Sequence, residues 1–369
     1  MRIAILGTRG IPNRYGGFEA FAEQLANRLA RDGHEVVVYC RRAFTEPTDV
    51  LAPGVRRVIL PGLPSKHFDT LWHTCISTLH VLFSDADVVL VCNVANSLFT
   101  WMPRVFGKPT VLNVDGLDRK RRKWNVLGRT FLLFCEALSV YTPTRVVTDS
   151  SSIQDYYRKR YRCSSNLITY GAEVPEELPG PESFGLTAGR YVLYVSRLEP
   201  ENNPEMVIRA YREVETAWPL VVVGGNAYRP DYIEYLKSIA DPRVIFTGPV
   251  YGNGYWTLQK GAGLFLSACE VGGTHPTLVE AMAAGTPTLY LDTVENRETL
   301  SDAGVAFGHD PRDLAEKLTR LIADGDLRAG LARRARLRWE QHYTWDIVAA
   351  QYEALFAELL GRPCPQHGI

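Results

Sequence analysis

The sequence has no excess of charge of either sign. Its 369 residues include 41 Lys plus Arg and 41 Asp plus Glu, so the formal net charge at pH 7 is zero. Proteins that bind nucleic acid over much of their surface are normally basic, so we expect no nucleic-acid partner. Apolar residues are 46% and charged residues 22% of the chain, a balance that argues against an intrinsically disordered protein.

Cysteine is sparse and follows no pattern. The seven cysteines include no C-x-x-C pair, and most of them lie in apolar surroundings. Disulfide frameworks and zinc sites depend on regular spacing, so we expect the reduced thiols of a cytosolic protein. No acidic metal cluster stands out in the chain. We therefore predict chemistry that uses neither a metal nor a cofactor.

Long hydrophobic runs are also missing. The longest, residues 124–141, contains Arg129 and Glu136 and falls short of a membrane span. The opening MRIAILGTRG is typical of a strand and a glycine turn, without the apolar core or cleavage site of a signal peptide. We expect a soluble, cytoplasmic protein, for which peripheral contact with the cytoplasmic face of the membrane stays open.

What the chain does contain is a repeated alternation of short apolar runs with amphipathic segments. Runs such as RIAILG, HEVVVYC and KPTVLNV occur in the first half, and RYVLYVSR, WPLVVVGG and GLFLSA in the second. This alternation predicts βαβ units and parallel sheets, hence an α/β fold of two doubly wound, Rossmann-like domains. The pattern pauses at the Pro/Gly/Glu-rich stretch 172–187, which predicts a linker. We place the domains at 1–172 and 187–344, followed by an amphipathic helix within 345–362; the strand order does not follow from the pattern.

Ligands of such sheets bind beyond the carboxyl ends of the strands, so the loops that follow strands are the candidate sites. The first, GTRGIPNRYGGFEAF, carries Gly16 and Gly17 at the entrance of a helix, where free N–H groups and the helix dipole attract anions. It matches neither G-x-G-x-x-G nor a P-loop. Arg14, in the same loop, is a candidate for acceptor or membrane docking. The alternative is a simple tight turn.

The second loop, VLNVDGLDRKRRKW, places Asp115 just after a strand and continues with a basic run and Trp124. Asp115 is a candidate catalytic residue. The basic run suggests a docking patch for an anionic acceptor or a membrane surface, to which each basic residue contributes about 1 kcal/mol. The alternative is a solvated charged face. The docking candidates in this loop are Arg119, Arg121, Lys123 and Trp124.

The third loop, VSRLEPENNPEMV, opens the second half of the chain with Arg197 and then Asn202. An arginine at this place can grip a diphosphate through two parallel hydrogen bonds. The alternative pairs Arg197 with Glu199 or Glu201. Gly224, which follows the next strand, is a further donor-binding candidate.

The fourth loop, CEVGGTHPTLVEAM, combines a glycine turn with two carboxylates. Gly273 and Thr274 can present backbone amides at a helix N-terminus, which suits a phosphate. Glu270 and Glu280 are good acceptors for vicinal hydroxyls. A nucleotide sugar offers hydroxyls, a diphosphate and further hydroxyls, and it fits this combination.

The stretches GTRGIPNRYGGFE, NVDGLDRKRRKW, RLEPENN and EVGGTHPTLVEAM resemble, in this order, the GT-B glycosyltransferases of group one, family 4. They are most similar to a bacterial subfamily described as rhamnosyltransferases of capsule and exopolysaccharide assembly. The resemblance covers the chain from Met1 to about Leu360. It implies two Rossmann-like domains facing a cleft, an acceptor-binding first domain, a donor-binding second domain, and a C-terminal helix that crosses back to the first.

The resemblance also implies roles for single residues of the donor-binding half. Glu280 matches the second glutamate of the family's E-x7-E motif, which holds the nucleotide ribose. Arg197 matches the basic residue that stabilises the departing diphosphate. Gly273 and Thr274 match backbone that contacts the donor phosphate and sugar.

In the first half, Gly16 and Gly17 match a glycine loop that closes on the diphosphate. Asp115 stands where many relatives carry a histidine that contacts the transferred sugar and the acceptor.

Two positions depart from the family pattern. The first glutamate of the motif falls on Gly272, and the nearest carboxylate is Glu270, ten positions before Glu280. Asn202 stands where relatives carry a lysine. Diphosphate stabilisation would then depend on Arg197, Asn202 and backbone amides, and Glu270 is the candidate for the missing first glutamate.

The reaction implied is retaining, metal-independent transfer of a sugar from a nucleoside diphosphate to a hydroxyl of a polyprenyl-diphosphate-linked saccharide. The subfamily favours dTDP-L-rhamnose as the donor, and a UDP-hexose is the alternative. A GT-B sugar-nucleotide epimerase shares the fold but needs acid and base residues, and only His275 lies in a donor loop. A degenerate sugar-nucleotide-binding subunit is suggested by Asn202. Sustained release of nucleoside diphosphate in the presence of an acceptor would distinguish the transferase from both.

Overall fold

The computed structural model describes residues 1–14, 16–46, 48–63, 68–121, 124–226 and 229–363. The predicted docking residue Lys123 therefore lies outside the described residues. The chain divides into two compact units, one formed by Met1–Gly171 with Trp345–Ile369 and the other by Ala172–Thr344. Each unit contains one parallel sheet covered by helices, which confirms the predicted fold class.

The first unit is built on a seven-stranded sheet. Its strands are β1 (Arg2–Leu6), β2 (Glu35–Arg41), β3 (Val55–Leu60), β4 (Val88–Cys92), β5 (Thr110–Asn113), β6 (Arg145–Thr148) and β7 (Asn166–Leu167). They are all parallel and lie in the order β3-β2-β1-β4-β5-β6-β7. The order reverses between β1 and β4, which is the switch point where doubly wound sheets bind ligands.

Helices cover both faces of this sheet. They are α1 (Gly17–Arg31), α2 (Asp69–Leu82), α3 (Trp101–Val105), α4 (Val126–Leu138) and α5 (Ser151–Tyr161). Residues of α1 share one core with alternate strand residues such as Ile3 and Ile5. Residues of α2, α4 and α5 share another with Ala4 and Leu6, because successive side chains of a strand point to opposite faces.

The second unit repeats this plan on six parallel strands. They are β8 (Val192–Val195), β9 (Leu220–Val223), β10 (Val244–Gly248), β11 (Leu264–Ser267), β12 (Thr288–Leu291) and β13 (Gly304–Phe307). Their order is β10-β9-β8-β11-β12-β13, with the switch point between β8 and β11. The helices are α6 (Pro204–Arg212), α7 (Pro230–Ser238), α8 (Gly252–Gly261), α9 (Pro276–Ala284), α10 (Val294–Leu300), α11 (Pro311–Ala323) and α12 (Gly325–His342).

The stretch 172–187, predicted as a linker, belongs to the second unit. Ala172 and Leu186 are buried in the core of that unit, and residues Pro181–Phe184 form a 3-10 turn. The segment therefore packs against the unit although it lacks an apolar period, because these two apolar residues are enough to hold it.

The C-terminal helix α13 (Trp345–Leu359) returns to the first unit, as the resemblance implies. Tyr352 packs against Phe21 of α1 with a ring separation of 5.4 Å. Arg28 of α1 donates to the Asp346 carboxylate at 3.1 Å. Among the described residues, no helix is long and apolar enough to cross a bilayer.

Candidate functional site

The loop after β8 presents Arg197 at the carboxyl end of the second sheet. Its side chain is exposed, and among the described residues we found no hydrogen bond or ion pair for the guanidinium. The pairing with Glu199 or Glu201 that we considered is thus not formed. Asn202 is buried, and its Nδ2 donates to the Arg197 carbonyl at 2.7 Å. Asn202 thereby holds the loop that displays Arg197, and its predicted contact with the donor stays a prediction.

Gly224 follows β9 beside the same loop. Its φ is +134°, and a Cβ at this position would overlap the Ser196 carbonyl oxygen. Its N–H donates to the Gly248 carbonyl at 3.0 Å. The glycine is needed here because the β8 and β9 loops approach each other too closely for a side chain.

Glu270 lies in the loop after β11 and is held by two other loops. Its Oε1 accepts from Asn203 Nδ2 at 3.1 Å and lies 2.6 Å from His309 Nε2. Its backbone N–H donates to the Glu201 carbonyl at 3.1 Å. The structure therefore brings Glu270 next to the loop that carries Arg197 and Asn202.

The glycine turn ahead of α9 explains one departure from the family pattern. A Cβ at Gly272 would overlap Nε2 of His275, so the imidazole occupies the space where a side chain at 272 would begin. Within the described residues, the N–H groups of Gly272 and Gly273 have no acceptor. Thr274 is buried beside them. Unbonded amides at a helix entrance form a place that suits an anion.

Glu280 lies in the second turn of α9 and accepts a short hydrogen bond from the Tyr255 hydroxyl of α8. Burial raises the pKa of the Glu280 carboxyl, and the Tyr255 hydrogen bond opposes that rise. The pKa of Tyr255 is raised by burial and by the carboxylate beside it. The phenol thus fixes one carboxyl oxygen of Glu280 and leaves the other as a possible acceptor for a hydroxyl.

In the first unit, Gly16 and Gly17 open α1. Gly16 is the N-cap residue with an extended backbone, and its carbonyl accepts from Ala20 at 3.1 Å. Glu19, in the first turn, accepts from the Arg9 N–H at 2.9 Å and ties the glycine-rich loop to the helix.

Asp115 lies two residues after β5 in the left-handed region, with a φ of +55°. Asp149, which directly follows the neighbouring strand β6, lowers the pKa of the Asp115 carboxyl group. Asp149 is completely buried. The Tyr170 hydroxyl donates to Asp115 Oδ1 at 3.4 Å, and the Asp115 N–H donates to Asn113 Oδ1 at 3.0 Å. The ends of two adjacent strands therefore hold a pair of carboxyl groups.

A buried carboxyl group loses solvation when it ionises, so burial favours its protonated form. Burial is the main cause that raises the pKa of Asp115, and Asp118 adds to the rise. Arg121 and the hydrogen bond to Asp149 lower it. The pKa of Tyr170 is raised by burial and then by Asp115. Such a carboxyl group can accept or donate a proton near a reacting hydroxyl.

Comparison with known proteins gives the family. Residues 182–338 match the profile described as glycosyl transferases group 1, and residues 15–170 match glycosyltransferase family 4. A D-inositol 3-phosphate glycosyltransferase of Salinispora arenicola is 30% identical over 95% of this chain and 89% of its own. The protein belongs to the group 1, family 4 glycosyltransferases.

Solved structures agree with this fold. Sucrose-phosphate synthase from Thermosynechococcus elongatus superposes with a TM-score of 0.84 at 21% identity, over 98% of this chain and 99% of the other. Anabaena HepE in complex with UDP and glucose gives 0.78 at 17% identity, over 97% and 100%. The fold is thus GT-B.

The predicted docking residues of the glycosyltransferase have intramolecular partners. Arg14 is paired with Glu46 at 3.0 Å and Asp49 at 2.6 Å. Arg119 is paired with the buried Glu136 at 2.9 Å, and its Nη2 donates to the Tyr156 hydroxyl at 2.7 Å.

Arg121 is paired with Asp118 at 2.6 Å, and Trp124 packs partly buried against the first unit's core. Arg119 and Arg121 therefore contribute to the packing of their own unit, which weakens the assignment of these two residues to a docking patch.

The glycosyltransferase has two D-x-D spacings, at 85–87 and at 324–326. Asp324 caps α12 and accepts from the Leu327 N–H at 2.8 Å. Asp85 and Asp87 precede β4, at the amino end of the sheet, and both lie close to Arg2, at 2.8 and 3.6 Å. In the described residues there is no group of three His, Cys, Asp or Glu side chains placed to hold a metal. That catalysis needs no metal stays a prediction.

Sequence interpretation missed three polar partners. Asp149 follows a buried strand just as Asp115 does, so the same criterion could have identified it. Tyr170 and Tyr255 lie in segments with no local signal. Their roles depend on neighbours that are distant in sequence.

Proposed function

We propose that the protein is a retaining glycosyltransferase that moves L-rhamnose from dTDP-L-rhamnose to a hydroxyl of a lipid-linked saccharide in surface polysaccharide synthesis. The observation that supports a nucleoside-diphosphate donor is the anion site of the second unit, and the rhamnosyl part of the proposal follows from the sequence resemblance alone. Arg197 is exposed without a partner among the described residues, and the Gly272 and Gly273 amides lack acceptors. Both follow strands next to the switch point, where a diphosphate binds in doubly wound sheets.

In the proposed mechanism the second unit supplies positioning and charge. Arg197 stabilises the negative charge that develops on the leaving diphosphate, and the backbone amides before α9 assist it. The leaving phosphate takes part in removing the proton of the acceptor hydroxyl on the same face as the donor sugar. This course retains the anomeric configuration and needs neither a metal nor a cofactor.

For the first unit we propose acceptor binding. Asp115 contacts the acceptor or the transferred sugar, and burial raises the pKa of its carboxyl group. A protonated carboxyl group can donate a hydrogen bond to a sugar oxygen, and an ionised one can accept from a hydroxyl.

The number of ribose hydroxyls that Glu280 can contact depends on the nucleotide of the donor. A carboxylate with one oxygen fixed by Tyr255 can accept from one or two ribose hydroxyls. dTDP offers only the 3′-hydroxyl, whereas UDP offers both. The structure of Anabaena HepE in complex with UDP-glucose superposes on this chain with a TM-score of 0.75. This similarity favours a UDP-hexose as the second candidate donor.

The experiment is donor binding followed by product analysis. A ligand that binds only the folded state raises the melting temperature, so dTDP-rhamnose, UDP-glucose, UDP-GlcNAc and GDP-mannose are compared by thermal shift. Selective stabilisation by dTDP-rhamnose supports the rhamnosyl assignment, and stabilisation by a UDP-hexose alone replaces it. Proton NMR of the product then gives the anomeric configuration; inversion would refute the retaining mechanism.

The same assay separates the other functions. An epimerase converts the donor without releasing nucleoside diphosphate, and a pure binder is stabilised but turns nothing over. If either result is obtained with every acceptor tested, the proposed transferase activity is refuted.

A further inference from the structure

Helix α2 has its polar and apolar faces reversed. Its buried residues include His73, Thr74, Ser77 and Thr78. The exposed face carries Trp72 and Leu79, and Phe83, which ends the helix, is 88% exposed. A helix facing water normally buries its apolar stripe and exposes its polar one. The reversal indicates that the outer face of α2 meets something other than water.

The neighbouring helices continue this apolar surface. Val105 and Phe106 at the end of α3 are 71% and 62% exposed. On α4, Val126, Leu127 and Phe134 are 78%, 79% and 55% exposed. Clustered aromatic and aliphatic side chains of this kind mark an interaction site and not ordinary surface.

Direct contacts join the three helices into one layer. Ser97, just before α3, donates to the Cys135 carbonyl of α4 at 2.8 Å. Lys108, after α3, donates to the Ser84 carbonyl after α2 at 2.7 Å. Val81 of α2 and Leu132 of α4 lie in the same core beneath the layer. The outer sides of α2, α3 and α4 therefore form a continuous surface, called the α2–α4 face below.

Helix α11 of the second unit shows the usual arrangement. Its residues Leu314, Leu318 and Leu321 are buried, and its exposed residues include Glu316 and Arg320. The arrangement of α2 is therefore not imposed by the sheet-and-helix plan that the two units share.

The charges of the α2–α4 face have one sign. The exposed ionisable residues of these three helices are His80, Arg104 and Arg129. The carboxylates of the same helices form ion pairs: Asp69 with Arg41 at 2.6 Å, and Glu136 with Arg119. Asp85, two residues after Phe83, is exposed and paired with Arg2 at 2.8 Å. Helices with an apolar aromatic face that expose Arg104 and Arg129 but no carboxylate of their own complement an anionic bilayer surface.

We propose that the α2–α4 face docks on the headgroup region of an anionic membrane, with Phe83, Phe106 and Leu127 inserted and Arg129 near the lipid phosphates. The inference rests on the proposed function, since a lipid-linked acceptor is presented at a bilayer. The α2–α4 face replaces the basic run 119–124 as the proposed docking surface, because Arg119 and Arg121 of that run are already paired. The surface holds the enzyme near its acceptor without a spanning helix.

The test is co-sedimentation of the full chain with vesicles of phosphatidylcholine alone or mixed with phosphatidylglycerol. We expect binding to the mixed vesicles. The triple variant Phe83→Ser, Phe106→Ser, Leu127→Ser should lose binding by about fivefold or more for each side chain, because each gives up much of its apolar burial. Arg129→Glu should weaken binding to the mixed vesicles alone. The matched control, Ile245→Ser with Leu337→Ser, removes exposed apolar residues of the second unit and should bind as the wild type does.

Three outcomes would overturn the inference: no vesicle binding by the wild type, equal binding by the triple variant, or a wild-type dimer that the triple variant dissociates. The last would make the α2–α4 face a contact between two copies. Donor binding by thermal shift on the same preparations separates this inference from the proposed function. Donor binding without vesicle binding refutes only the membrane surface. Vesicle binding with no response to any nucleotide sugar refutes only the proposed reaction.

Discussion

Replacing Arg197 with alanine is the sharpest test of the proposed donor site. The guanidinium is exposed and has no partner among the described residues, so its removal breaks no contact that we found in the folded chain. The free energy of unfolding should therefore change by less than about 0.5 kcal/mol, as for ordinary surface positions. Any loss of activity then reports on the substrate and not on folding.

The expected loss follows from the chemistry of the contact. A guanidinium can form two parallel hydrogen bonds to a diphosphate, and the interaction strengthens as charge develops on the leaving group. Removing one preorganised donor to a developing charge costs about 2.7–4 kcal/mol, or roughly 10²–10³ in kcat. Arg197→Lys should recover part of this loss, because it restores the charge but not the planar pair of donors.

The assay measures release of nucleoside diphosphate together with donor affinity. Arg190 offers a matched control, since it is also exposed and lies just before the amino end of the strand that Arg197 follows. Arg190→Ala should leave kcat unchanged. A kcat for Arg197→Ala within threefold of the wild type would refute the leaving-group role, and an equal loss in both variants would point to a general electrostatic effect.

Three further predictions follow from the geometry. Glu280→Gln should weaken donor binding about tenfold with little change in kcat, because a ribose contact is present in both the ground and transition states; isothermal calorimetry checks this. Because burial raises the pKa of Asp115, its carboxyl group keeps a proton at pH values at which the unfolded chain has released it. The resulting stability is full below the usual carboxyl pKa of about 4 and is lost as pH rises through the raised value. Asp115→Asn should therefore flatten the decline of melting temperature with pH, and an unchanged slope would contradict the raised pKa. Gly224→Ala should cost about 2–4 kcal/mol by denaturant unfolding, since its φ is +134° and a carbonyl fills the space; Gly189→Ala, at φ +72° in open space, should cost less.

The strands that carry the site were predictable because they are buried on both faces. Runs such as β4 (VVLVC) and β9 (LVVV) contain nothing but apolar residues, which is the signature of a central parallel strand. β3 (VRRVIL) was missed because it is an edge strand whose Arg56 and Arg57 break the apolar run. β7 has only two residues, too few for any periodic signal.

Placement of the site residues on loops after strands also followed from sequence, whereas their partners did not. Arg197 and Asp115 were identified because each comes directly after an apolar run. Their surroundings depend on Asn202, Asp149 and Tyr170, which approach only when the strands align. The sequence could not show that Arg119 turns inward, since the pattern of a basic run does not reveal whether a buried carboxylate lies next to it in the fold.

The same limit applies to the reversed helix α2. Its sequence DTLWHTCISTLHVL has apolar residues at helical spacing, and the usual inference would bury Trp72 and Leu79. The structure instead buries the stripe of His73, Thr74, Ser77, Thr78 and Val81. Periodicity fixes which residues share a face of a helix, but only the packing decides which face is inside.

The glycine turn before α9 shows how one residue choice constrains another. A side chain at 272 and the present orientation of His275 cannot coexist, because the imidazole fills the space of the missing Cβ. Restoring the family's glutamate by Gly272→Glu would therefore displace the imidazole as well as add a carboxylate. Glu270, tied to Asn203 and His309, already supplies a carboxylate to the same loop. Packing therefore links Gly272 to the orientation of His275, whereas Glu270 is held independently, so Gly272→Glu tests the first pair and leaves the contacts of Glu270 in place.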